Sequence, residues 1–171
     1  MKKKLFITCL LLLLVRVVFG QDSTTILAKQ SVLLEFAGTG QGISLSYDRV
    51  LSQKKSWKFG ARAGVGAISF TQVRPTILGE VYALRGRKNK YLEMGLGLSY
   101  LFPVTSQYSI DTTRVTFRGA DQLWLVSRIG YRKQNTKRGN VFRVALTPTF
   151  IFQSGRASFR LYPGISVGQS F

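Results

Sequence analysis

Histidine is absent from this sequence, and the one cysteine, Cys9, lies within its first twenty residues. The rest of the chain therefore cannot supply a histidine general base, a serine–histidine triad or a Cys/His metal site. It also cannot be held together by disulfide bonds. Acidic residues are scarce, with 7 Asp and Glu against 25 Lys and Arg. From the absence of histidine and of any further cysteine we expect no enzyme activity, no metal and no cofactor.

The first twenty residues have the pattern of a secretory signal peptide. Basic residues at Lys2–Lys4 precede an apolar run, Leu5–Val15, and small Gly20 ends the segment. The apolar run is too short to span a bilayer as a helix. We predict export and cleavage after Gly20. Cys9 lies inside the apolar run rather than directly after it, which argues against a lipoprotein.

The net charge narrows the choice of partner. Without the four basic residues of the predicted signal peptide, the chain keeps 21 Lys and Arg against 7 Asp and Glu, a formal charge of about +14. For an exported protein this favours anionic lipid head groups or polysaccharide over nucleic acid. The alternative is that the basic residues simply solvate the turns.

The clearest structural pattern lies at Tyr91–Tyr100. Leu92, Met94, Leu96, Leu98 and Tyr100 alternate with Glu93, Gly95, Gly97 and Ser99. A period of two predicts a β-strand with one apolar face and one small, polar face. The same alternation recurs along the chain and predicts eight strands, at about 31–38, 43–48, 57–70, 77–83, 91–102, 123–131, 142–152 and 161–171.

The connections between these strands complete the prediction. Residues 21–30 are polar and are expected to form a flexible leader to a single domain, 31–171. The glycine-rich stretch Gly38–Gly42 predicts a tight turn, and residues 103–122 and 154–160 are predicted to be loops. Pro148 interrupts its strand and predicts a bulge.

The composition of the two faces indicates which one points outward. Opposite the apolar face lie glycine, serine and alanine with isolated charges, which suits the narrow interior of an eight-stranded barrel. Lipid tolerates no free sheet edge, so strands with an apolar outer face must close. Aromatic residues fall near the strand ends, as in the two interfacial girdles of membrane barrels. One predicted girdle comprises Tyr47, Trp57, Phe59, Tyr91, Tyr131, Phe142 and Phe171, and the other Phe36, Phe70, Tyr100, Phe102, Phe150, Phe152 and Tyr162. We therefore predict an all-β fold, a closed antiparallel transmembrane β-barrel of eight strands.

The chain resembles the small eight-stranded outer-membrane β-barrel proteins of Gram-negative bacteria, in particular their poorly characterised families. The resemblance lies in the signal peptide and in the segments 92–98, 129–132 and 164–171. It implies location in the cell outer membrane, contact with outer-membrane lipid and insertion by the barrel-assembly machinery. Phe171, at the end of an alternating last strand, resembles the insertion signal that this machinery reads. Gln169 departs from that signal, where an aromatic or apolar residue is usual.

Six charged residues on the inward faces are the candidate site. Glu93, Arg128 and Arg143 are predicted to form one ion cluster, and Glu35, Arg62 and Glu80 a second, because buried charges must be paired. The clusters are expected to plug the barrel and hold it together. The alternative is a narrow, porin-like polar path for ions or small solutes.

The predicted loop 103–122 is the second candidate. Its candidate contact residues are Tyr108, Arg114, Phe117 and Arg118, which would bind a surface polysaccharide or a protein; otherwise the loop is an ordinary surface segment. Taken together, the sequence favours a monomeric barrel with a structural or interaction role. The alternatives are a small channel and a secreted soluble β-barrel or sandwich that binds lipid or polyanions.

Overall fold

The computed structural model describes residues 27–54, 56–69, 73–103, 105–110, 113–118, 121–135, 138–153 and 156–171, with the backbone alone for 105–110 and 113–118. Ten β-strands lie within these ranges. They are β1 (Gln30–Ala37), β2 (Gly42–Lys54), β3 (Trp57–Ser69), β4 (Val73–Arg87), β5 (Lys90–Leu101), β6 (Thr105–Ile110), β7 (Thr113–Arg118), β8 (Gln122–Gln134), β9 (Gly139–Gln153) and β10 (Arg156–Ser170). No helix in this part of the chain is long and apolar enough to cross a membrane.

Eight of the strands form a closed antiparallel barrel, as predicted. Their order around the wall is β1-β10-β9-β8-β5-β4-β3-β2, so every strand pairs with its neighbour along the chain except where β5 meets β8 and where β10 closes on β1. The closing seam pairs Ser31–Ala37 with Ser170–Gly164. Both described chain ends lie at one end of the barrel, here called the terminal end; the opposite end is the loop end.

The alternation read from the sequence is the alternation of the wall. In β5, Leu96 and Leu98 are exposed on the outer surface, whereas Glu93 and Ser99 are buried in the lumen. The register of β4 is also confirmed, with Ile77 and Val81 outside. Because the period is two, a correct inward or outward assignment of one residue determines the direction of all the other side chains in a regular strand.

The connection at 103–122 differs from the predicted loop. It contains a separate two-stranded sheet in which β6 pairs with β7, with Tyr108 opposite Val115 and Ser109 opposite Arg114. β-Branched or aromatic residues, which favour extended backbone, make up half of β6 and four of the six residues of β7. Pairing with each other satisfies backbone groups that a structureless loop would leave to water.

Three further details differ from the prediction. The segment predicted as a loop at 154–160 is mostly strand, because β10 begins at Arg156 and pairs with Gln153 of β9. Pro148 lies in β9 without any shift of register, and Ser127 Oγ donates a hydrogen bond to its carbonyl oxygen at 3.1 Å. The bulge lies instead in β2, where Leu51 is inserted between residues paired with Gly60 and Phe59.

The expectation of a flexible leader does not hold for its last residues. Leu27 and Ala28 are buried in the terminal end of the lumen. The Gln53 side chain both accepts a hydrogen bond from Leu27 N at 2.8 Å and donates one to Leu27 O at 3.0 Å. Gln134 donates to Ala28 O at 3.3 Å. The buried Leu27 side chain and the two hydrogen bonds of the Gln53 carboxamide fix this segment. The polar composition of residues 21–30 indicates neither of them.

The turn between β1 and β2 folds into the lumen rather than away from the barrel. A single turn of 3₁₀-helix, Gly38–Gly40, continues into Gln41, and all four residues are buried. Ser99 Oγ on β5 donates to Thr39 O at 2.9 Å, so the turn touches the far wall. The predicted tight turn is therefore present, and it closes the lumen just beyond the charged residues.

Candidate functional site

All six predicted charges meet inside the barrel, in one network rather than in two clusters. Each of the six residues is at most 5% exposed; they are Glu35, Arg62, Glu80, Glu93, Arg128 and Arg143. The predicted division was wrong because residues far apart around the wall face one another across a narrow lumen. Three ion pairs join residues assigned to different clusters, namely Arg128–Glu35, Arg128–Glu80 and Arg143–Glu35.

Arg128 is the centre of the network. Its Nη2 lies 2.9 Å from Glu35 Oε1, and its Nε lies 2.9 Å from Glu80 Oε1. Glu93 is 3.9 Å away, at the edge of ion-pair distance. One guanidinium on β8 thus neutralises carboxylates on β1 and β4, with a third carboxylate on the adjacent strand β5.

Arg143 occupies the neighbouring position toward β9 and β10. Its Nη1 lies 3.0 Å from Glu93 Oε1, and its Nη2 lies 3.4 Å from Glu35 Oε1. Ser166 Oγ accepts hydrogen bonds from Arg143 Nε at 3.1 Å and from Nη2 at 2.9 Å. The carboxylates and the serine fix the plane of the guanidinium, as in other buried charge-assisted pairs.

The inward-folded turn belongs to the same network. Thr39 Oγ1 donates to Glu80 Oε2 at 3.1 Å and accepts from Arg62 Nη2 at 3.0 Å. Arg128 Nη2 also donates to this hydroxyl, and Arg62 Nη2 pairs directly with Glu80 Oε2. Thr39 therefore ties three charged side chains to the turn that covers them. This role was not predicted, because the sequence around Thr39 indicates a turn but not its direction.

Sequence reasoning also missed a second group of polar residues, nearer the terminal end. Arg132 Nη1 lies 2.7 Å from Asp48 Oδ2, and Tyr82 donates its hydroxyl proton to Asp48 Oδ1. Arg132 lies 3.8 Å from Glu93 Oε2, which links this group to the central network. Parity was the available signal, because Asp48 and Arg132 continue the inward rows of β2 and β8.

Among the residues that the structure describes, Lys58 is the remaining buried basic residue. It is 2% exposed, and its Nζ lies 5.0 Å from the centre of the Tyr91 ring. That distance is within the range of a cation–π contact. In the described part of the chain no three acidic side chains are grouped as metal ligands are.

Apolar clusters lie on both sides of the charges. At the terminal end the cluster comprises Leu27, Val50, Tyr82, Leu84 and Tyr91. Toward the loop end it comprises Ile68, Leu101, Trp124, Val126 and Ile151. The charged network therefore lies between an apolar cluster and the inward turn on the loop side and a layer of mixed apolar and polar side chains on the terminal side, and burial in these surroundings strengthens its ion pairs.

Two predicted girdle residues, Tyr91 and Tyr162, are on the inward rows of their strands. Tyr162 shares the parity of the buried Gly164 and Ser166 and pairs with the buried Thr147. Tyr91 is 1% exposed and lies inside the barrel, where its hydroxyl donates to Lys88 O at 2.7 Å. It shares the parity of Glu93, so it must face the lumen whenever Glu93 does. Other aromatic residues, such as Tyr47, Tyr131 and Phe142, are exposed on the outer surface.

The other predicted features have these positions. Phe171 is half exposed at the terminal end, and its N–H donates to Gln30 O at 3.0 Å. Tyr108, Arg114, Phe117 and Arg118 lie on the β6–β7 hairpin, of which only the backbone is described. The predicted signal peptide and cleavage site lie outside the described residues, as does Phe70.

Backbone strain in the inward turn gives a prediction with opposite signs at adjacent positions. Ala37 has φ 57° and ψ −138°, a region that favours glycine, and Gly38 has φ 64°. We expect Gly38→Ala to destabilise by more than the roughly 1–2 kcal/mol of a left-handed residue, because its Cβ would also lie 2.8 Å from Glu35 Cδ. We expect Ala37→Gly to be neutral or to stabilise by about 1 kcal/mol. Urea midpoints of the refolded proteins measure both; equal losses at the two positions would contradict this turn conformation.

A closed eight-stranded antiparallel barrel with an apolar outside and a charged inside is the fold of the small outer-membrane barrels. The structure is similar to the N-terminal β-barrel domain of Pseudomonas aeruginosa OprF, with a TM-score of 0.51. The similarity covers 88% of this chain and 100% of that domain, at 9% sequence identity, and it therefore shows the fold alone. No family profile and no curated protein sequence matches this chain.

Proposed function

We propose that the protein is an integral, monomeric outer-membrane barrel with a structural or interaction role and no catalytic activity. The observation that carries this proposal is the outer surface, because all eight barrel strands expose aliphatic or aromatic side chains on it. In water so large an apolar band would cause aggregation, whereas in a bilayer it is the required surface. A secreted soluble barrel would need the opposite arrangement of its two faces.

Fractionation tests this proposal. The full chain with its predicted signal peptide is expressed in a Gram-negative host, and the membranes are separated on a density gradient. We expect the protein in the outer-membrane fraction, with an electrophoretic mobility that changes on heating. Depletion of the barrel-assembly machinery should lower its amount there, since Phe171 resembles the insertion signal. Recovery in the soluble periplasmic fraction would instead support the secreted alternative.

The interior argues against the channel alternative. A conducting path needs a continuous polar lumen, but here apolar clusters flank an ion network in which guanidinium and carboxylate groups contact one another directly. We expect the purified barrel to show no openings in planar bilayers, under conditions in which a large porin conducts. Regular unitary openings would show that the lumen conducts and would contradict this expectation.

Because the lumen is filled by side chains, we propose that partners bind outside it. The β6–β7 hairpin is our candidate contact for polysaccharide or protein.

A further inference from the structure

The outer surface of the barrel carries a groove that the structural role does not explain. It has a volume of about 460 Å³ and is formed mainly by Leu51, Phe59, Val81, Ala83, Met94 and Leu96 on strands β2 to β5. Ala83 forms its floor, because its partners across the sheet are the much longer Phe59 and Met94. Leu51, the inserted residue of the β2 bulge, is 67% exposed and borders the groove. Bulges re-aim side chains in this way.

Basic groups continue the groove at the terminal end. On β4 the outward row that contains Val81 and Ala83 goes on to Arg85 and Arg87, and Arg87 is paired with Lys90 of β5. Arg85 pairs with Trp57 of β3 in the sheet. The Arg85 guanidinium lies 5.1 Å from the centre of the Trp57 ring. The apolar groove thus ends at three basic residues and at Trp57. Tryptophan is favoured at a membrane interface.

The charge distribution around this end is one-sided. Besides these three residues, exposed basic side chains at the terminal end include Lys29, Arg49, Lys54, Lys88 and Lys133. Of the five acidic residues in the described part of the chain, four are buried in the lumen, and Asp121 lies at the loop end. Folding has therefore removed the described acids from this rim and left a positive surface around the mouth of the groove.

We propose that this groove binds an anionic glycerophospholipid of the bilayer leaflet at the terminal end. One acyl chain lies along the groove, and Arg85, Arg87 and Lys90 hold the phosphate. Arginine forks match phosphate oxygens, and the apolar groove matches an acyl chain. The site rests on the proposed membrane function, because only a barrel within a bilayer presents this surface to lipid. It also explains the bulge at Leu51 and the small residue at Ala83.

The test is lipid retention by the refolded barrel in micelles that contain equal amounts of phosphatidylglycerol and phosphatidylcholine, measured by native mass spectrometry. We expect the parent to retain phosphatidylglycerol preferentially. Arg85→Gln/Arg87→Gln/Lys90→Gln should lower this preference by at least tenfold, since each basic group near an anionic surface contributes roughly fivefold. Ala83→Leu, which fills the groove, should lower retention of both lipids severalfold.

Matched variants provide the controls. Ala63→Leu adds the same bulk to an outward position on β3 away from the groove, and Arg156→Gln/Arg160→Gln removes charge at the loop end; both should bind as the parent does. Equal retention of the two lipids by the parent would overturn the site. Unchanged phosphatidylglycerol binding in Ala83→Leu would do so too, by showing diffuse attraction to the rim. Stronger binding of lipid A in competition would assign the groove to the other leaflet. Failure of the membrane proposal is distinguishable, because parent and variants would all be absent from the outer-membrane fraction.

Discussion

Replacing Arg128 by methionine is expected to destabilise the barrel by roughly 3–5 kcal/mol, the usual cost of removing one partner from a buried ion pair. Methionine keeps the unbranched stem but donates no hydrogen bond. Glu80 then keeps Arg62, whereas Glu35 keeps only the longer contacts at 3.4 and 3.5 Å. The measurement is the urea midpoint of the refolded protein, with the temperature at which its heat-dependent mobility is lost.

Two further variants separate charge from packing. Arg156→Met makes the same change at an exposed position and should alter stability by no more than about 0.5 kcal/mol. In Arg128→Met/Glu35→Gln the loss should be smaller than the sum of the single losses, because the second change removes the carboxylate that Arg128→Met leaves with only its longer contacts. Glu93→Gln should also lower stability, since Arg143 loses its shortest ion pair. If Arg128→Met unfolds with the parent, the network does not hold the barrel together.

The sequence was sufficient to place these charges inside, and the reason is local. In a strand the direction of each side chain depends only on parity, so Glu93 and Arg128 could be assigned without knowledge of the rest of the fold. Partners are a different matter. Arg128 meets Glu35 across the lumen, and that contact depends on strand stagger and on the length of both side chains, which no single strand encodes.

Each of the errors in the predicted fold has its own physical cause. The glycines of Gly38–Gly40 predict a turn, but glycine and threonine are compatible with either direction, and only the buried partners of Thr39 place the turn inside the lumen. The polar composition of residues 21–30 predicts a flexible segment, and the segment is too short for a periodic pattern to show that Leu27 is buried. The β6–β7 hairpin lies in a segment that the sequence predicts as a loop, although its residues favour strands, because it continues no inward or outward row of the barrel strands.

Replacing Gly168 by valine is expected to prevent closure of the barrel. Gly168 pairs with Leu33 on the β1–β10 seam, where a Cβ would run into Val32 O and lie 2.9 Å from Leu33 Cα. Both are backbone atoms of the partner strand, so the clash cannot be relieved by a rotamer change and the strands must separate or slip. An open seam leaves unpaired N–H and C=O groups in the bilayer, each costing several kcal/mol.

The matched control is Gly79→Val on β4. Gly79 faces outward, and a Cβ there would meet nothing within 4 Å, so the β-branched side chain should be neutral or mildly stabilising. Both variants are refolded from urea into liposomes without assembly factors, so that an effect of position 168 on the insertion signal cannot contribute. We expect Gly79→Val to fold to the parental yield, Gly168→Ala to fold partially and Gly168→Val to give almost no heat-modifiable form. Parental folding of Gly168→Val would mean that β1 and β10 do not close in the Leu33–Gly168 register, and the position of Glu35 opposite Ser166 would fail with it.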